Sequence, residues 1–176
     1  VGARLVTGMT LDSRRVQPGD VFIAVPGVHG DGRQYIDAAL HAGAHAVLTE
    51  SGHASVAELA GVPIIGVPRL HQCVGEVAGH FYGEPAKTME FFAVTGTNGK
   101  SSTSWFLRDA LAFFGRQPGL VGTFGMQCQG ADIATGHTTP DAISLHAGLA
   151  QFRQPRVEVV DVEGPHPAVA PAPLVR

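Results

Sequence analysis

The stretch V-T-G-T-N-G-K-S-S-T, residues 94–103, decides the fold of the chain around it. Its glycines let backbone N–H groups approach an anion, while Lys100 and Ser101 add a positive charge and a hydroxyl. The spelling departs from the common G-x-x-x-x-G-K-[ST] loop, because Val94 stands where that pattern has its first glycine. We therefore interpret it as a variant phosphate-binding loop for a nucleoside triphosphate, with Ser101 as a ligand of Mg²⁺.

The segments on either side of the loop support this interpretation. Residues 89–95 form a short segment rich in apolar and aromatic side chains, which is typical of a buried strand. Residues 101–114 place apolar side chains at spacings of three and four, which predicts a helix that Gly115 ends. The alternative is an ordinary strand–turn–helix connection that binds nothing.

Composition and charge argue against several classes of protein. The 176 residues can form one domain or two small ones, and 44% of them are hydrophobic. A net charge of −3 without a basic stripe argues against nucleic-acid binding, which leaves small molecules as the expected partners. Cys73 and Cys128 lack the spacing of a zinc site or a disulfide framework, and no apolar run is long enough to span a membrane. We expect a cytoplasmic protein that does not bind membranes.

Strand-like and helix-like segments alternate through the first half of the chain. The predicted strands are residues 21–25, 46–49 and 62–67, and the predicted helices are residues 34–42, 54–60 and 69–82. This alternation predicts an α/β fold with a mostly parallel sheet. A hinge at residues 83–87 then separates a small N-terminal α/β domain, residues 1–86, from the phosphate-loop domain.

The phosphate-loop domain is predicted to be a partial α/β domain of residues 87–153. After a strand at residues 119–123, Thr139 is suited to cap a helix that starts at Pro140 and Asp141 and ends near Phe152. Residues 154–176 contain one possible strand, 157–162, and are otherwise predicted to be a disordered tail. About two strand–helix units are too few to close a doubly wound sheet, so we expect this domain to be truncated.

Four segments together resemble one family. They are M-T-L-D-S-R (residues 9–14), P-G-D-V-F-I-A-V-P-G-V-H-G-D-G-R-Q-Y-I (18–36), T-G-T-N-G-K-S-S-T (95–103) and H-T-T-P (137–140). In this order they resemble the Mur ligases, specifically the type that adds the third residue of the muramyl peptide. The resemblance covers residues 9 to about 152 and assigns the two domains to a UDP-substrate domain and a central ATP-binding domain.

The resemblance implies a role for each matching residue. The UDP-linked substrate would contact Leu11, Ser13, Arg14, Val28, His29 and Gly30, and its peptide portion would contact His137, Thr138 and Thr139. ATP would contact Gly96, Thr97, Asn98, Gly99, Lys100, Ser101 and Ser102, with Lys100 as the catalytic residue at the transferred phosphoryl group. Without the resemblance, Asp12-Ser13-Arg14 could equally be a solvated turn, and Thr138-Thr139 could be a helix cap alone.

The resemblance also implies the chemistry. ATP and Mg²⁺ would activate the terminal carboxylate of UDP-N-acetylmuramoyl-L-alanyl-D-glutamate as an acyl phosphate, and the amine of a diamino acid would displace phosphate. The diamino acid would be meso-diaminopimelate or L-lysine. No protein nucleophile is required, because positioning and charge neutralisation carry the reaction. We expect a cytoplasmic monomer that works in peptidoglycan synthesis.

One segment departs from the family. Such ligases carry M-E-V-S-S-H, whose glutamate resembles a magnesium ligand, whereas residues 157–167 here read V-E-V-V-D-V-E-G-P-H-P. Glu163 is therefore left without a role. The family's later metal-binding histidine, carbamylated lysine and C-terminal domain have no counterpart, so we expect a shifted reading frame from about Gln154, or a truncated and inactive chain.

Three alternative functions stay open. A folate- or cyanophycin-type polyglutamyl ligase shares the T-N-G-K loop but not the D-S-R and H-G-D-G-R-Q-Y segments. A P-loop kinase or NTPase leaves residues 9–85 without an explanation. A module that binds nucleotide or UDP-sugar without catalysing a reaction fits the partial second domain.

Overall fold

The computed structural model describes residues 5–27, 30–128, 131–133 and 140–164. Contacts divide the chain into two compact units, Val1–Val77 and Ala78–Arg176. Each unit is built on one five-stranded, mostly parallel sheet, which confirms the predicted α/β class. Within the described residues, no helix combines the length and the apolar character that crossing a membrane would require.

The first unit contains seven strands and the start of the second helix. Its strands are β1 Gly8–Thr10, β2 Asp20–Ala24, β3 Pro26–Gly27, β4 Gly30–Asp31, β5 Ala46–Ser51, β6 Ser55–Leu59 and β7 Val62–Pro68. Its helices are α1 Ile36–His41 and the first part of α2 Leu70–Phe81, which continues into the second unit. The main sheet has the order β1-β2-β5-β7-β6, in which only β6 is antiparallel to its neighbour. Phe22, Ala24 and Val47 form its core with Ala39 of α1. The predicted strands of this unit are thus confirmed.

One helix prediction in this unit is wrong. Residues 54–60 were predicted to be helical, but residues 55–59 form the exposed edge strand β6. Ala60 and Gly61 both have positive φ, 51° and 76°, which is the backbone of a tight hairpin turn. That turn folds β6 back onto β7, so pairing with a neighbouring strand overrides the local helix propensity of S-V-A-E-L.

The described part of the second unit contains five strands and two further helices. They are β8 Glu90–Val94, α3 Lys100–Phe113, β9 Pro118–Gly122, β10 Gly125–Cys128, β11 Ala131–Ile133, α4 Ala142–Phe152 and β12 Val159–Glu163. The sheet order is β11-β10-β9-β12-β8, so the last strand lies between the first two and runs parallel to both. Residues Val160, Val121, Leu149 and Phe152 form the core between the sheet and α4.

Two predictions for this unit need correction. The possible strand at residues 157–162 is confirmed as β12, a central strand whose residues are mostly buried; residues 165–176 lie outside the described part of the chain. The prediction that residues 89–95 form a buried strand is wrong, because β8 lies at the edge of the sheet and its residues are exposed or half-buried. The cap of α4 is Asp141, whose carboxylate accepts hydrogen bonds from the N–H groups of Ile143 and Ser144. Thr139 lies outside the described residues. Both corrections arise because a strand or a cap is fixed by its partners as well as by its own residues.

Candidate functional site

The phosphate-binding loop lies at the carboxyl edge of the second sheet. Because β8, β12 and β9 are parallel, their carboxyl ends meet at one edge, where ligands of α/β proteins bind. Val94 at the end of β8 is paired with Glu163 at the end of β12, and the N–H of Gly164 donates to the Val94 carbonyl at 3.1 Å. The loop that leaves Val94 therefore starts directly beside Glu163.

The loop leads into an uncapped helix. Gly99 is the N-cap of α3 with φ of 77°, a left-handed conformation that favours glycine, and no side chain of a described residue bonds to the first N–H groups of the helix. Lys100 curls back, so that its Nζ donates to the Gly96 carbonyl at 2.9 Å. A helix N-terminus with free N–H groups and a lysine beside it attracts an anion.

Glu163 faces the start of this helix. Its Oε2 accepts hydrogen bonds from Ser101 Oγ at 3.0 Å and from Thr123 Oγ1 at 3.2 Å, with the Thr123 N–H at 3.4 Å. The side chain is only 6% exposed, and its Oε1 has no partner among the described residues. Gly122 makes this position possible, because a Cβ there would lie 2.6 Å from Glu163 Cδ.

Ser101 and Glu163 suit a magnesium ion. Mg²⁺ prefers oxygen ligands about 2.1 Å away in an octahedron, so two adjacent ligands lie about 3.0 Å apart. Ser101 Oγ and Glu163 Oε2 have that separation, 3.0 Å. The described residues contain no group of three or more His, Cys, Asp or Glu side chains that could hold a metal. A magnesium ion here would therefore take its remaining ligands from water and from phosphate oxygens.

A second carboxylate lies deeper on the same strand. Asp161 is 1% exposed, and burial raises its pKa, with the negative charge of Glu163 adding to the effect. The hydroxyl of Ser104 is also fully buried and faces Asp161, where it opposes the rise in the pKa of Asp161. The two groups do not reach hydrogen-bond geometry. Sequence reasoning did not identify Asp161, Glu163 or Thr123 as site residues.

The described residues that were predicted to contact the UDP end of the substrate lie in the first unit. Leu11, Ser13 and Arg14 follow the carboxyl end of β1, and Ser13 and Arg14 belong to a short 3-10 helix that Asp12 caps. Arg14 Nε and Nη2 both donate to the Asp12 carboxylate, at 2.9 and 2.7 Å. Hydrogen bonding from Arg14 lowers the pKa of Asp12 to about 2. The ion pair with Asp12 fixes the orientation of the Arg14 guanidinium. Ser13, which carries a hydroxyl, lies between these two residues in the sequence.

The same local arrangement occurs after β2. Asp31 caps the next 3-10 helix and accepts two hydrogen bonds from the Arg33 guanidinium, at 2.9 and 2.6 Å, which lowers the pKa of Asp31. Gly30 lies beside it in β4. Since β1 and β2 are parallel neighbours, both Asp-x-Arg turns belong to the same sheet edge. Sequence reasoning missed Arg33, although the repeated D-x-R spacing could have found it.

The remaining predicted residues cannot be located. Val28, His29, His137, Thr138 and Thr139 lie outside the described residues. The predicted ATP-binding residues from Gly96 to Ser102 are brought together as one loop and the first turn of α3.

Two family models match most of the chain. A model described as the catalytic domain of the Mur ligase family matches residues 5–82, and the Mur ligase middle domain model matches residues 94–166. The second match includes Glu163, in the segment that sequence reasoning treated as atypical.

Curated relatives give the same family. The chain is 43% identical over 159 residues to a UDP-N-acetylmuramoyl-L-alanyl-D-glutamate–2,6-diaminopimelate ligase of Pseudomonas syringae pv. tomato, which covers 90% of this chain and 33% of the relative. The ligase of the same name from Coxiella burnetii is 39% identical over 159 residues, covering 90% of this chain and 32% of its own length. The chain thus spans about a third of the length of these relatives.

Solved structures share the fold. A structure of a UDP-N-acetylmuramoyl-L-alanyl-D-glutamate–2,6-diaminopimelate ligase superposes with a TM-score of 0.68 at 29% identity, covering 90% of this chain and 32% of that one. A MurF ligase from Thermotoga maritima in complex with ADP has a TM-score of 0.56 at 23% identity, covering 94% and 33%, and shows the fold alone. The phosphate-loop geometry, the two matching domains and these relatives agree: this chain belongs to the Mur ligase family.

Proposed function

We propose that this chain supplies the nucleotide-binding and UDP-substrate-binding parts of an ATP-dependent amide ligase of peptidoglycan synthesis. The substrate would be UDP-N-acetylmuramoyl-L-alanyl-D-glutamate, and the added residue would be 2,6-diaminopimelate, as in the relatives' names. The observation that carries the proposal is the contact of Ser101 with Glu163 at the carboxyl edge of β8 and β12. That contact joins the phosphate loop to a buried carboxylate, as a magnesium–triphosphate site requires.

The proposed reaction has two steps. The terminal carboxylate of the dipeptide attacks the γ-phosphorus of ATP, so that a P–O bond forms and ADP leaves with the pair of electrons. The amine of the diamino acid then attacks the acyl carbon, phosphate leaves, and the ammonium loses a proton to give the amide. When bound, Mg²⁺ would neutralise charge on the phosphate oxygens.

The chain's own residues would bind and orient ATP. The N–H groups of the loop and of the first turn of α3 would surround the phosphates, and the Lys100 ammonium would leave the Gly96 carbonyl to contact the transferred phosphoryl group. Ser101 and Glu163 would hold the metal from one side. Thr123 keeps the Glu163 carboxylate in place through two hydrogen bonds.

Isothermal titration calorimetry tests the nucleotide site. We expect saturable Mg–ATP binding, and Lys100→Ala removes one charge-assisted contact of about 1.5–3 kcal/mol, roughly a 10- to 150-fold increase in Kd. The matched control is Lys87→Ala, which removes the chain's other lysine from an exposed pair with Glu84 and should leave the affinity unchanged. Equal affinities of Lys100→Ala and the unaltered chain would remove the phosphate-loop assignment.

A second titration tests the UDP-substrate site. We expect UDP-N-acetylmuramoyl dipeptide to bind to the first unit through Ser13 and Arg14, so Ser13→Ala and Arg14→Ala weaken binding. Arg15→Ala is the control, because Arg15 is an exposed neighbour in the same 3-10 helix and has no assigned role. Equal losses for Arg14→Ala and Arg15→Ala would indicate general charge attraction instead of a site.

A phosphate-release assay separates ligation from binding alone. Phosphate released from ATP only when both dipeptide and diamino acid are present supports ligation by this chain. If the chain binds ATP and the UDP-linked dipeptide saturably but releases no phosphate, it is a binding module without catalysis, which is one of the alternatives that the sequence left open.

A further inference from the structure

Helix α3 carries an apolar face that is exposed. Phe106, Ala110, Phe113 and Phe114 follow the spacing i, i+4, i+7 and i+8, which places them along one side of the helix. The three phenylalanines are 75%, 86% and 78% exposed. The buried residue of α3, Ser104, lies on a different side of the helix. The sheet therefore covers one side of α3 and leaves its apolar side uncovered.

Strand β8 provides an open edge on the same sheet. It is the last strand in the order β11-β10-β9-β12-β8, so the outer side of its backbone has no strand partner among the described residues. Phe91 packs against the core beside α4, so its neighbour Phe92 points to the opposite face of the sheet. That face is the one on which α3 lies, because Ser101 of α3 bonds there to Glu163. Phe92 is 47% exposed.

One additional strand–helix unit would cover both features. A strand that pairs with the open edge of β8 extends the sheet, and the helix connected to it packs on a face of that sheet, as in other α/β folds. On the face that carries α3, this helix would lie against the apolar side chains of α3 and against Phe92.

The exposed area is large enough for a specific contact. At about 200 Å² for each side chain, the exposed parts of the four phenylalanines amount to about 570 Å². Pairing along the five residues of β8 adds backbone area to this value. A specific interface buries about 800 Å² on each partner. Exposed apolar patches of this size mark places where another polypeptide binds.

We propose that the outer edge of β8, with Phe92, and the apolar face of α3 form one docking surface, the β8–α3 surface, for a strand–helix unit of ligase polypeptide. The source of that unit is indicated by length. The chain matches 33% of the Pseudomonas syringae relative and 32% of the solved ligase, so most of each relative lies outside the matched part. The occupant is therefore a strand–helix unit from the unmatched part, and the proposal goes beyond the nucleotide and substrate sites.

The test uses the unmatched segment of the Pseudomonas syringae ligase, produced as a separate polypeptide in the same cells as this chain. We expect the two to co-purify as a complex with one copy of each, and hydrogen exchange to slow at residues 90–94 and along α3. Phe113→Asp would bury an unpaired charge in the complex and should raise the Kd at least about tenfold. Phe92→Lys should also weaken the complex, because a lysine on an edge strand opposes pairing with another strand.

Val56→Asp is the matched control, because Val56 is 79% exposed on β6, the edge strand of the first sheet. This variant should bind the segment with unchanged Kd. Phe113→Asp should also leave the Mg–ATP affinity of the chain unchanged, so the docking surface and the nucleotide site are tested separately.

Four results would overturn the proposal. They are a soluble segment that does not bind the chain, a Kd that Phe113→Asp leaves unchanged, a dimer of this chain that Phe113→Asp dissociates, and a melting temperature of the monomeric chain that Phe113→Asp lowers. The third result would mean that a second copy covers the surface, and the fourth that the chain's own residues cover it. If the separate segment is insoluble, the two polypeptides are joined in one chain, and exchange at residues 90–94 as fast as in the unaltered chain would overturn the proposal.

Discussion

Replacing Gly122 with alanine should damage the candidate metal site specifically. The added Cβ would lie 2.6 Å from Glu163 Cδ and 2.9 Å from its Cγ, whereas ordinary contacts begin at 3.4 Å. The carboxyl group must therefore retreat by about 0.8 Å, the difference between 3.4 and 2.6 Å. A shift away from position 122 would lengthen its contact with the adjacent Thr123, now 3.2 Å, beyond hydrogen-bond range and so change its position relative to Ser101.

The expected effect is larger on metal binding than on stability. Overpacking of a buried site costs about 1–3 kcal/mol, and we expect the low end here because a side-chain terminus can move more easily than a ring. The metal-dependent gain, which is the ratio of the ATP affinity in Mg²⁺ to the ATP affinity in EDTA, should fall about tenfold, as it does when a metal ligand loses its support. Calorimetry in Mg²⁺ and in EDTA measures the gain, and urea denaturation measures the stability.

Gly119 offers a matched control on the same strand. A Cβ there would lie 2.8 Å from the ring of Phe152 and 3.0 Å from Val157, on the face of β9 that packs against α4. Gly119→Ala should therefore reduce the free energy of unfolding by about 1–3 kcal/mol without affecting the metal-dependent gain. If Gly122→Ala retains the gain, or if both variants lose it equally, the reasoning from the Glu163 contact is wrong.

Three further predictions concern pH, capping and the core. The folded-state pKa of Asp12 is about 2, against 3.8 for the free residue. Ionisation of Asp12 therefore stabilises the fold above pH 3.8, and this contribution is lost as the pH falls towards 2. In an acid titration, the Asp12→Asn variant should lack that loss of stability. Asp141→Ala removes the side-chain cap of α4 and should cost about 1 kcal/mol in urea denaturation, whereas an unchanged midpoint would contradict the cap. Phe152→Ala empties a fully buried ring position and should cost about 3–5 kcal/mol in the same measurement, with a cost below 1 kcal/mol contradicting a packed core.

The phosphate loop and its flanking elements could be predicted from the sequence because their signals are local. An apolar run, a glycine-rich turn and an amphipathic segment lie within residues 89–114, and the structure places β8 and α3 where those patterns predicted them. The structure also confirms the predicted strands β2, β5 and β7, which are the three inner strands of the first sheet; β2 is buried, and β5 and β7 are mostly half-buried. Local periodicity predicted the type and the bounds of these elements. It did not predict their burial in the second unit, because β8 is an edge strand with exposed or half-buried residues, and Phe106 and Phe113 of α3 are exposed.

The edge strand β6 and the cap of α4 could not be predicted in the same way. S-V-A-E-L has no strand alternation strong enough to compete with its helix propensity, and pairing with β7 decides its conformation. At the start of α4, Thr139 and Asp141 are both good capping residues by type. Only the backbone path shows that the carboxylate of Asp141 meets two N–H groups.

The sequence by itself determined the α/β class, the phosphate loop and the likeness to the Mur ligases, since these depend on residue types at short spacings. Only the tertiary structure brought Glu163 to the phosphate loop, since Glu163 lies 62 residues from its partner Ser101 and lacks the Ser-Ser-His that marks the family segment. The physical reason is the strand order. Insertion of β12 between β8 and β9 brings its carboxyl end beside the loop, and no local pattern encodes that insertion.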